Sequence, residues 1–412
     1  MMISESRYQE AYVWVWLPGA VQPVVAGRLA KDGNTLVFNY GRSYLERTDS
    51  VPLYAPELPL QSGLLPLLQG MSMPSCLRDA APDAWGRRVL MFKRAGGKRN
   101  EDLDELSCLL ESGSNRIGAL DFQRSPTEYQ PRMSEPVTLA QLQESTERIV
   151  NGLPLSPELA AAIQHGTSIG GARPKANIET DDKQYVAKFS LSTDLYNIVK
   201  AEFIAMRLAH LVGLHVAQVE LKTALNKDVL LIERFDRVAG EAGWQRKMMV
   251  SALTMLELDE MLARYASYED LAEIIRHRFT QPAETLRELF GRMVFNILCG
   301  NTDDHARNHA AFWDGKCLAL TPAYDLCPQS RAGNEASQAM KIHGDNNFSQ
   351  LNVCLAAAHS FMLSTKQAQE IIDHQVEQIE ANWEAVCDQA ELPQMARQAL
   401  WGRQFLNPFA FE

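Results

Sequence analysis

The stretch "GNTDDHARNHA", residues 300–310, decides how the rest of this chain is interpreted. It brings two adjacent acids, a histidine and two asparagines directly after the apolar helical segment "FGRMVFNILCG". Helix capping or an Asx turn would explain one or two of these polar side chains, but not the whole cluster. A lone acid, Asp325, follows in "LTPAYDLCP", between an apolar strand-like run and a proline. Seen alone, Asp325 is equally well explained as a turn aspartate.

Three of these residues have the order that phosphoryl transfer requires. Such a site needs a carboxylate to orient the nucleophile, oxygen ligands for a metal ion, a cation for the phosphates and a backbone cradle. In protein kinases an Asp and an Asn five positions apart are followed downstream by a metal-binding Asp. Asp303 and Asn308 are five positions apart here, and Asp325 follows them. The pattern therefore favours phosphoryl transfer over chance.

A candidate cation lies upstream in the strand-like segment "KQYVAKFSL". Period-two alternation places Lys188 on the face opposite Tyr185 and Phe189. An edge or snorkelling lysine is the simpler explanation of Lys188 alone. The following helix, predicted from about Leu195 to Val212 and capped by Gly213, places Glu202 on an apolar stripe. Glu202 is therefore either a partner of Lys188 or a partly exposed residue at the edge of the stripe.

A loop-like stretch, "SIGGARPKANI", precedes that strand at residues 168–178. The paired glycines Gly170 and Gly171 let backbone amides approach phosphate oxygens, and Lys175 adds positive charge. An ordinary surface turn, with Ser168 as a turn hydroxyl, is the alternative.

The chain divides into three predicted sections. Residues 1–124 are mainly β, and the polar stretch "RSPTEYQPRMSE" at 124–135 is typical of a linker. Residues 136–250 combine strands with one helix, and residues 251–412 have helical periodicity throughout. A cleft between a β-rich lobe and a helical lobe is a natural place for a small ligand.

Composition excludes several classes of protein. The 412 residues are 46% hydrophobic and 22% charged, and the formal net charge of -11 lacks the basic excess of an autonomous nucleic-acid binder. A DNA role would need a basic partner or a local patch. The seven cysteines show no CxxC pair, and the apolar run Ala11–Leu17 is too short to cross a bilayer. We expect a cytoplasmic protein with reduced thiols.

Taken together, the motifs resemble the HipA family of serine/threonine kinases, the toxin half of HipBA-type toxin-antitoxin pairs. The resemblance covers nearly the whole chain, and five segments carry it: "LRDAAPDAWGRRVL", "SIGGARPK", "LIERFDR", "NTDDHARNH" and "LTPAYDL". It implies a two-lobed, protein-kinase-like α+β fold with a β-rich N-terminal subdomain, a kinase N-lobe and an all-helical C-lobe.

The resemblance also implies roles for the catalytic segment. Asp303 would orient the hydroxyl of a protein substrate, and Asn308 with Asp325 would hold Mg²⁺ against the phosphates of ATP. His305 would support the catalytic loop.

For the nucleotide, the resemblance implies a second group of residues. Lys188 would contact the phosphates, and the segment containing Glu233, Phe235 and Asp236 would lie against the adenosine. Ser168 matches an autophosphorylated serine, with Thr167 as the lesser candidate. A phosphate on Ser168 would repel the loop from the phosphates of ATP.

The expected partners follow from the same resemblance. They are a HipB-like helix-turn-helix antitoxin, operator DNA bound through that antitoxin, and a cytosolic protein substrate, which in characterised relatives is an aminoacyl-tRNA synthetase. One alternative is a nucleotide-binding scaffold or co-repressor with little kinase activity. A weaker alternative is a metal-dependent nuclease, because clustered Asp, His and Asn side chains can hold two metal ions.

Overall fold

Strands dominate the first part of the chain and helices dominate after Ser251. The computed structural model describes residues 7–94, 103–133, 136–169, 171–180 and 182–412. These residues form two units. The first unit contains the described residues up to Ser192, with Lys222–Val250 and Trp313–Lys316; the second contains Thr193–Leu221, Ser251–Phe312 and Cys317–Glu412.

The strands of the described residues are numbered in chain order. They are β1 (Glu10–Val15), β2 (Val24–Asp32), β3 (Thr35–Tyr40), β4 (Leu120–Gln123), β5 (Lys175–Glu179), β6 (Gln184–Phe189), β7 (Val219–Ala224), β8 (Lys227–Glu233), β9 (Arg237–Gly240), β10 (Gly243–Arg246), β11 (Met249–Ser251), β12 (Ala310–Trp313) and β13 (Leu318–Leu320).

The α-helices are numbered in the same way. They are α1 (Arg42–Leu45), α2 (Ser75–Arg78), α3 (Ala84–Arg94), α4 (Glu105–Glu111), α5 (Leu139–Val150), α6 (Pro157–Ala162), α7 (Ile198–Leu211), α8 (Ala252–Met255), α9 (Tyr268–Arg278), α10 (Pro282–Leu298), α11 (Leu351–Ala357), α12 (Thr365–Gln389) and α13 (Gln394–Leu400).

Two four-stranded sheets organise the first unit. The first has the strand order β3-β2-β1-β4, so β4 pairs with β1 although the two strands are distant in sequence. The second has the order β5-β6-β8-β7, and β6 pairs antiparallel with β5 on one side and β8 on the other. The strand that carries Lys188 is therefore internal to its sheet.

One face of the second sheet is apolar, as period-two alternation requires. Tyr185, Ala187 and Phe189 of β6 are buried together with Val229 and Leu231 of β8. Burial of these side chains is the main stabilising contribution of this sheet, since apolar burial contributes about 25 cal/mol per Å². Because Tyr185, Ala187 and Phe189 share one face of β6, alternation directs Lys188 to the other face, and Lys175, directly opposite Lys188 in the register, shares that face.

In the second unit, α10 packs against α9, α11 and α12, and α7 packs against α12. Helix α12 begins at a capping box formed by Ser364 and Gln367, in which each side chain accepts from the other residue's backbone N–H. Helix α7 begins after Asn197, whose side chain accepts from the Lys200 amide.

The structure tests several predicted boundaries. The helix predicted over Leu195–Val212 is present as α7, and Gly213 is its C′ residue, with φ of 91°. Residues 124–133 of the predicted linker form neither helix nor strand, and residues 134 and 135 lie outside the described residues. The division of the sequence into three sections stays a prediction.

One detail of the predicted fold needs correction. The section after Ser251 is not all-helical, because β12 and β13 lie within it. These strands have four and three residues. Segments this short cannot display the alternation by which a strand is recognised in sequence.

Candidate functional site

The candidate catalytic loop begins where α10 ends. The Asn301 amide donates to the Asn296 carbonyl at 2.8 Å, and the Gly300 amide donates to the Ile297 carbonyl at 3.2 Å. These two bonds form a Schellman motif, which requires a left-handed residue at its C′ position. Gly300 supplies it with φ of 71°, and a Cβ atom here would lie 2.7 Å from the Gln404 carbonyl oxygen. The direction in which the loop leaves the helix therefore depends on glycine.

The two adjacent acids of the loop have opposite environments. Asp304 is buried, and its Oδ2 accepts a hydrogen bond from the Tyr268 hydroxyl and lies 2.9 Å from His309 Nε2. Burial and the neighbouring Asp304 charge raise the pKa of Tyr268 well above its ordinary value, so the phenol remains a donor. Asp303, one residue earlier, is exposed. Asp304 thus fixes the loop, and Asp303 presents its carboxylate to solvent.

Asp303 carries a perturbed carboxyl group. Partial desolvation raises its pKa, the charges of Asp325 and Asp304 raise it further, and His305 opposes them. The side chain nevertheless remains accessible to solvent. The effect of Asp325 on Asp303 means that the fold brings together two acids that are far apart in sequence.

Hydrogen bonds connect the segment of Asp325 to the catalytic loop. The Tyr324 hydroxyl donates to the Arg307 carbonyl at 2.7 Å, and Asn301 Nδ2 donates to the Asp325 carbonyl at 3.4 Å. Asp325 itself has φ of 59°, a left-handed conformation that is uncommon outside glycine but tolerated by Asp and Asn. Strained backbone held by its surroundings is frequent at functional sites.

The donor set suits a magnesium ion. Asn308 Nδ2 donates to the Asp303 carbonyl at 3.3 Å, which orients the amide and leaves Oδ1 as the atom available to a cation. Asn308 Oδ1 and the Asp325 carboxylate are hard oxygen ligands. Mg²⁺ is commonly held by one or two such side chains, with water and phosphate oxygens completing its shell. Two protein ligands are therefore sufficient.

The glycine-containing loop lies in the first unit and is held by the segment that precedes α3. The Gly171 amide donates to Asp83 Oδ2 at 2.8 Å, and the Trp85 amide donates to the Gly171 carbonyl at 3.1 Å. Trp85 Nε1 donates to the Lys175 carbonyl at 3.0 Å. In this conformation the Gly171 amide is occupied by a carboxylate, so its predicted contact with phosphate requires release of Asp83. Gly170 lies outside the described residues.

Two lysines face each other across the sheet next to this loop. Lys175 of β5 is directly opposite Lys188 of β6, and the two residues are 7% and 5% exposed. The Lys175 ammonium passes close to Gly171, where a Cβ atom would lie 2.2 Å from Nζ. Two cationic side chains thus lie on one face of the sheet beside the loop, and their contact with phosphate stays a prediction.

Ser168 is buried above a polar network. Its hydroxyl donates to the Asn115 carbonyl at 3.1 Å and accepts from Asn177 Nδ2 at 3.3 Å. Arg234 Nη1 donates to Asn115 Oδ1 and to Asn177 Oδ1, each at 2.9 Å. Thr167 is also buried, and its hydroxyl accepts from the Gly113 amide at 2.9 Å. Modification of either hydroxyl requires the loop to leave this position.

The segment after β8 contributes an anchor as well as candidate adenosine contacts. Four donors surround the Asp236 carboxylate: Arg234 Nε, Arg234 Nη2, Arg237 Nη1 and the Gly118 amide. Burial alone would raise the pKa of Asp236, but the charges of Arg234 and Arg237 outweigh it and hold the pKa well below its usual value. Its oxygens are taken up, so the Asp236 side chain anchors the segment; that the backbone of this segment lies against adenosine stays a prediction.

Glu233 and Phe235 remain the candidates of this segment for the nucleotide. Glu233 lies at the end of β8, is half-buried, and accepts from Lys183 Nζ at 2.7 Å. Phe235 is also half-buried. Their contact with adenosine stays a prediction.

The predicted site residues fall into the two units as follows. Asp303, His305, Asn308, Asp325 and Glu202 belong to the second unit, and the loop, both lysines and Glu233–Asp236 belong to the first. Glu202 is 2% exposed, which excludes the alternative of an exposed residue at the edge of the stripe. Pairing of Glu202 with Lys188 stays a prediction.

Residues 167–383 match the family described as HipA-like C-terminal domain, and residues 15–123 match the family described as HipA N-terminal domain. The first match alone spans more than half of the chain. The chain belongs to the HipA family.

Individual relatives agree with this assignment. The Sinorhizobium fredii protein named "Putative kinase Y4mE" is 25% identical over 344 residues, which are 76% of this chain and 76% of that protein. The serine/threonine-protein kinase toxin HipA of Shewanella oneidensis is 27% identical over 183 residues. That alignment covers 39% of this chain and 42% of the relative.

The fold of the HipA family extends over nearly all of the chain. A solved structure of the Shewanella oneidensis MR-1 HipA, HipB and operator DNA complex matches it with a TM-score of 0.69 and 19% identity. The match covers 97% of this chain and 99% of that chain. It confirms the predicted kinase-like α+β fold. No helix in the described part of the chain has the length and apolar character needed to span a membrane.

Several residues that shape the site escaped the sequence analysis. Asp83 and Trp85 lie in the quoted segment "LRDAAPDAWGRRVL". Nothing in that segment indicates a contact with a distant part of the chain, although Trp85 and its acceptor Lys175 are 90 residues apart. Tyr268, the donor to Asp304, sits at the start of α9 with no motif around it. Only His309, five residues after Asp304 in the same motif, could have been proposed as its partner.

Proposed function

We propose that this HipA family chain is an ATP- and Mg²⁺-dependent protein serine/threonine kinase. One observation carries the proposal. Asp303, Asn308 and Asp325 lie in one unit, and hydrogen bonds between their segments bring the three residues into a single neighbourhood. Asp304, buried behind them, keeps the loop in place.

In this proposal Asp303 orients the substrate hydroxyl. The hydroxyl oxygen attacks the γ-phosphorus of ATP, the bond from that phosphorus to the bridging oxygen breaks, ADP leaves, and the hydroxyl proton passes to Asp303. Asn308 and Asp325 would hold Mg²⁺, which neutralises negative charge that develops on the phosphates. The chain itself contributes positioning and electrostatic stabilisation, which supply most of the catalysis in this class of reaction.

The first unit would supply the remaining contacts to the nucleotide. Lys188 and Lys175, opposite each other on β6 and β5, would bind phosphate oxygens. The loop with Gly170 and Gly171 would add backbone amides, once Asp83 releases the Gly171 amide. Glu233 and Phe235 would lie against the adenosine.

The biological setting is proposed from the family. The Shewanella oneidensis relative is named a toxin, and the matching solved structure contains HipB and operator DNA. We accordingly propose a HipB-like antitoxin as partner, contact with operator DNA through that partner, and a protein substrate that bears a serine or threonine. Autophosphorylation at Ser168 would regulate the enzyme. All seven cysteines are free, which suits the cytoplasm.

The test is transfer of labelled γ-phosphate from Mg²⁺-ATP to the chain itself and to a generic protein substrate. Wild type should incorporate label, and Asp303→Asn should lose at least 100-fold in rate, since general-base catalysis contributes roughly 10²–10⁴-fold. Asp373→Asn, which removes an exposed acid from α12, is the matched control and should retain the wild-type rate.

The result also separates the proposal from its alternative. Label incorporation that is equal in wild type and Asp303→Asn would refute the role of Asp303. Thermal stabilisation by Mg²⁺-ATP without any transfer would favour a nucleotide-binding scaffold.

A further inference from the structure

Arg331 is a buried arginine without a counter-ion. It is 7% exposed, and its Nε and Nη2 atoms are sealed from solvent with no acceptor among the described residues in hydrogen-bonding distance. Burial lowers the pKa of Arg331, and no acidic group counteracts that effect. A buried guanidinium without hydrogen bonds is costly, so native proteins normally supply a partner.

Other buried arginines of this chain follow that rule. Arg116 is fully buried and donates from Nε to Asp121 at 2.9 Å. Arg292 is almost fully buried and donates from Nε to Glu288 at 2.8 Å, although its Nη1 atom has no acceptor within the described part of the chain. Both of these arginines have a carboxylate partner, whereas the described residues supply none to Arg331.

The two sealed nitrogens of Arg331 have a specific geometry. Nε and Nη2 lie on the same edge of the planar guanidinium, and two parallel donors on one edge match two oxygens of a phosphate or carboxylate. The two unpartnered donor positions therefore match a bidentate oxyanion.

The position of Arg331 connects it to the catalytic loop. It follows Asp325 by six residues, and the Gln329 amide, two residues before it, donates to the Gly300 carbonyl at 2.9 Å. The Arg331 carbonyl accepts from Arg403 Nη2 at 3.2 Å, so a second cation lies beside the same backbone. Both features favour an anion that is used near the loop rather than a structural ion elsewhere.

We propose that Arg331 binds a phosphate group through Nε and Nη2. The phosphate is either the terminal phosphate of the nucleotide or one that arrives on another molecule. The inference rests in part on the proposed function, because that function places phosphate at the neighbouring loop. The binding itself requires no transfer reaction, so the two can fail separately.

The experiment compares melting temperatures in inorganic phosphate and in sodium chloride of equal ionic strength, without nucleotide. Wild type should melt a few degrees higher in phosphate, and Arg331→Met should lose that difference. In chloride, Arg331→Met should melt at or above the wild-type temperature, because the variant no longer buries an uncompensated charge. Arg276→Met, which removes an exposed cation from the same unit, should respond to phosphate as wild type does.

Calorimetric titration with Mg²⁺-ATP and Mg²⁺-ADP then identifies the source of the phosphate. An affinity for ATP that falls at least tenfold in Arg331→Met, with ADP affinity unchanged, assigns Arg331 to the terminal phosphate. Unchanged affinity for both nucleotides, with the phosphate response still lost, assigns it to a phosphate on another molecule.

Three results would overturn the inference. The first is that wild type melts at the same temperature in phosphate as in chloride. The second is that Arg331→Met still melts higher in phosphate than in chloride. The third is that Arg331→Met melts below wild type by the same amount in both salts. The last result would show that Arg331 has a structural role. Asp303→Asn should keep the phosphate response, so a failed kinase assay leaves this inference standing.

Discussion

Replacing Ser168 by Asp should drive the glycine-containing loop out of its buried position and weaken ATP binding. The Ser168 side chain is 3% exposed and packs against Asn115 and Asn177. A carboxylate at this position would face the Asn115 carbonyl oxygen, to which the serine hydroxyl now donates. A donor would thus be replaced by a buried negative charge that repels its neighbour.

The free-energy cost of each substitution at Ser168 follows from the interactions that it removes or adds. Ser168→Ala costs little, because the Asn115 carbonyl keeps Asn177 Nδ2 at 2.7 Å and Arg234 Nη1 at 3.3 Å as donors. A lost hydrogen bond of this kind contributes about 0.5–1.5 kcal/mol. An uncompensated buried charge costs on the order of 3–5 kcal/mol. At about 3 kcal/mol the population of the buried loop falls roughly 100-fold relative to the open form.

The assay combines hydrogen exchange over residues 163–180 with calorimetric titration of Mg²⁺-ATP. Ser168→Asp should lose protection across the loop and bind ATP at least tenfold more weakly. Ser168→Asn is the matched control, because it has the size of Asp without its charge. Ser168→Ala should resemble wild type in both measurements.

Two outcomes would contradict the prediction that a buried charge at position 168 opens the loop. If Ser168→Asp kept full protection and wild-type ATP affinity, Arg234 would have neutralised the new charge inside the site. Loss of protection that is equal in Ser168→Asp and Ser168→Asn would show that size, rather than charge, opens the loop.

Three further predictions address the other parts of the site. Lys188→Met should abolish most of the thermal stabilisation by Mg²⁺-ATP. Lys222→Met, at an exposed position of β7, is the control and should retain it. If both variants lost the same stabilisation in a thermal shift assay, a specific contact of Lys188 with phosphate would be excluded. Asp303→Asn should raise the melting temperature of the metal-free chain at neutral pH. The reason is that the pKa of Asp303 is raised in the fold, so its ionised form disfavours the folded state. The gain in melting temperature should shrink as the pH falls and the wild-type carboxyl becomes protonated. Asp236→Asn should lower stability by roughly 3–5 kcal/mol in denaturant titration at neutral pH, since it leaves two buried guanidiniums without their carboxylate. The pKa of Asp236 is depressed in the fold, so its contribution is present above the ordinary carboxyl pKa and is lost as the pH falls; a difference that persists undiminished at low pH would contradict it.

The sequence predicted the fold through motifs rather than through periodicity. Each of the segments "NTDDHARNH" and "LTPAYDL" is a continuous run of residues. The spacing of Asp303, Asn308 and Asp325 within and between them is typical of a phosphoryl-transfer site. Strand and helix positions in β6 and α7 followed from alternation and from Gly213 at the helix end. The short strands β12 and β13 could not be predicted, because four and three residues are too few to display alternation, and β12 also depends on pairing with the distant strand β11.

Environment was the part of the site that the sequence could not supply. The spacing from Asn308 distinguished Asp303 from Asp304, but the sequence did not indicate that Asp303 is exposed and Asp304 is buried against Tyr268 and His309. The segment of Asp236 was predicted to lie against adenosine, but nothing in the sequence indicated that the Asp236 carboxylate itself is surrounded by Arg234, Arg237 and the Gly118 amide. Burial and long-range hydrogen bonds decide such roles, and neither has a local signature.

The pairing of Lys175 with Lys188 shows how a functional requirement can become visible only through register. In the sequence the two lysines belong to separate motifs, and each has an ordinary explanation. The antiparallel register of β5 and β6 places them directly opposite each other, both buried, on the face away from the apolar core. A shift of one residue would turn one of them into that core. Register, which the sequence does not specify, thus decides that two cationic side chains share one face beside the glycine-containing loop, and this shared position supports the proposed contact with phosphate.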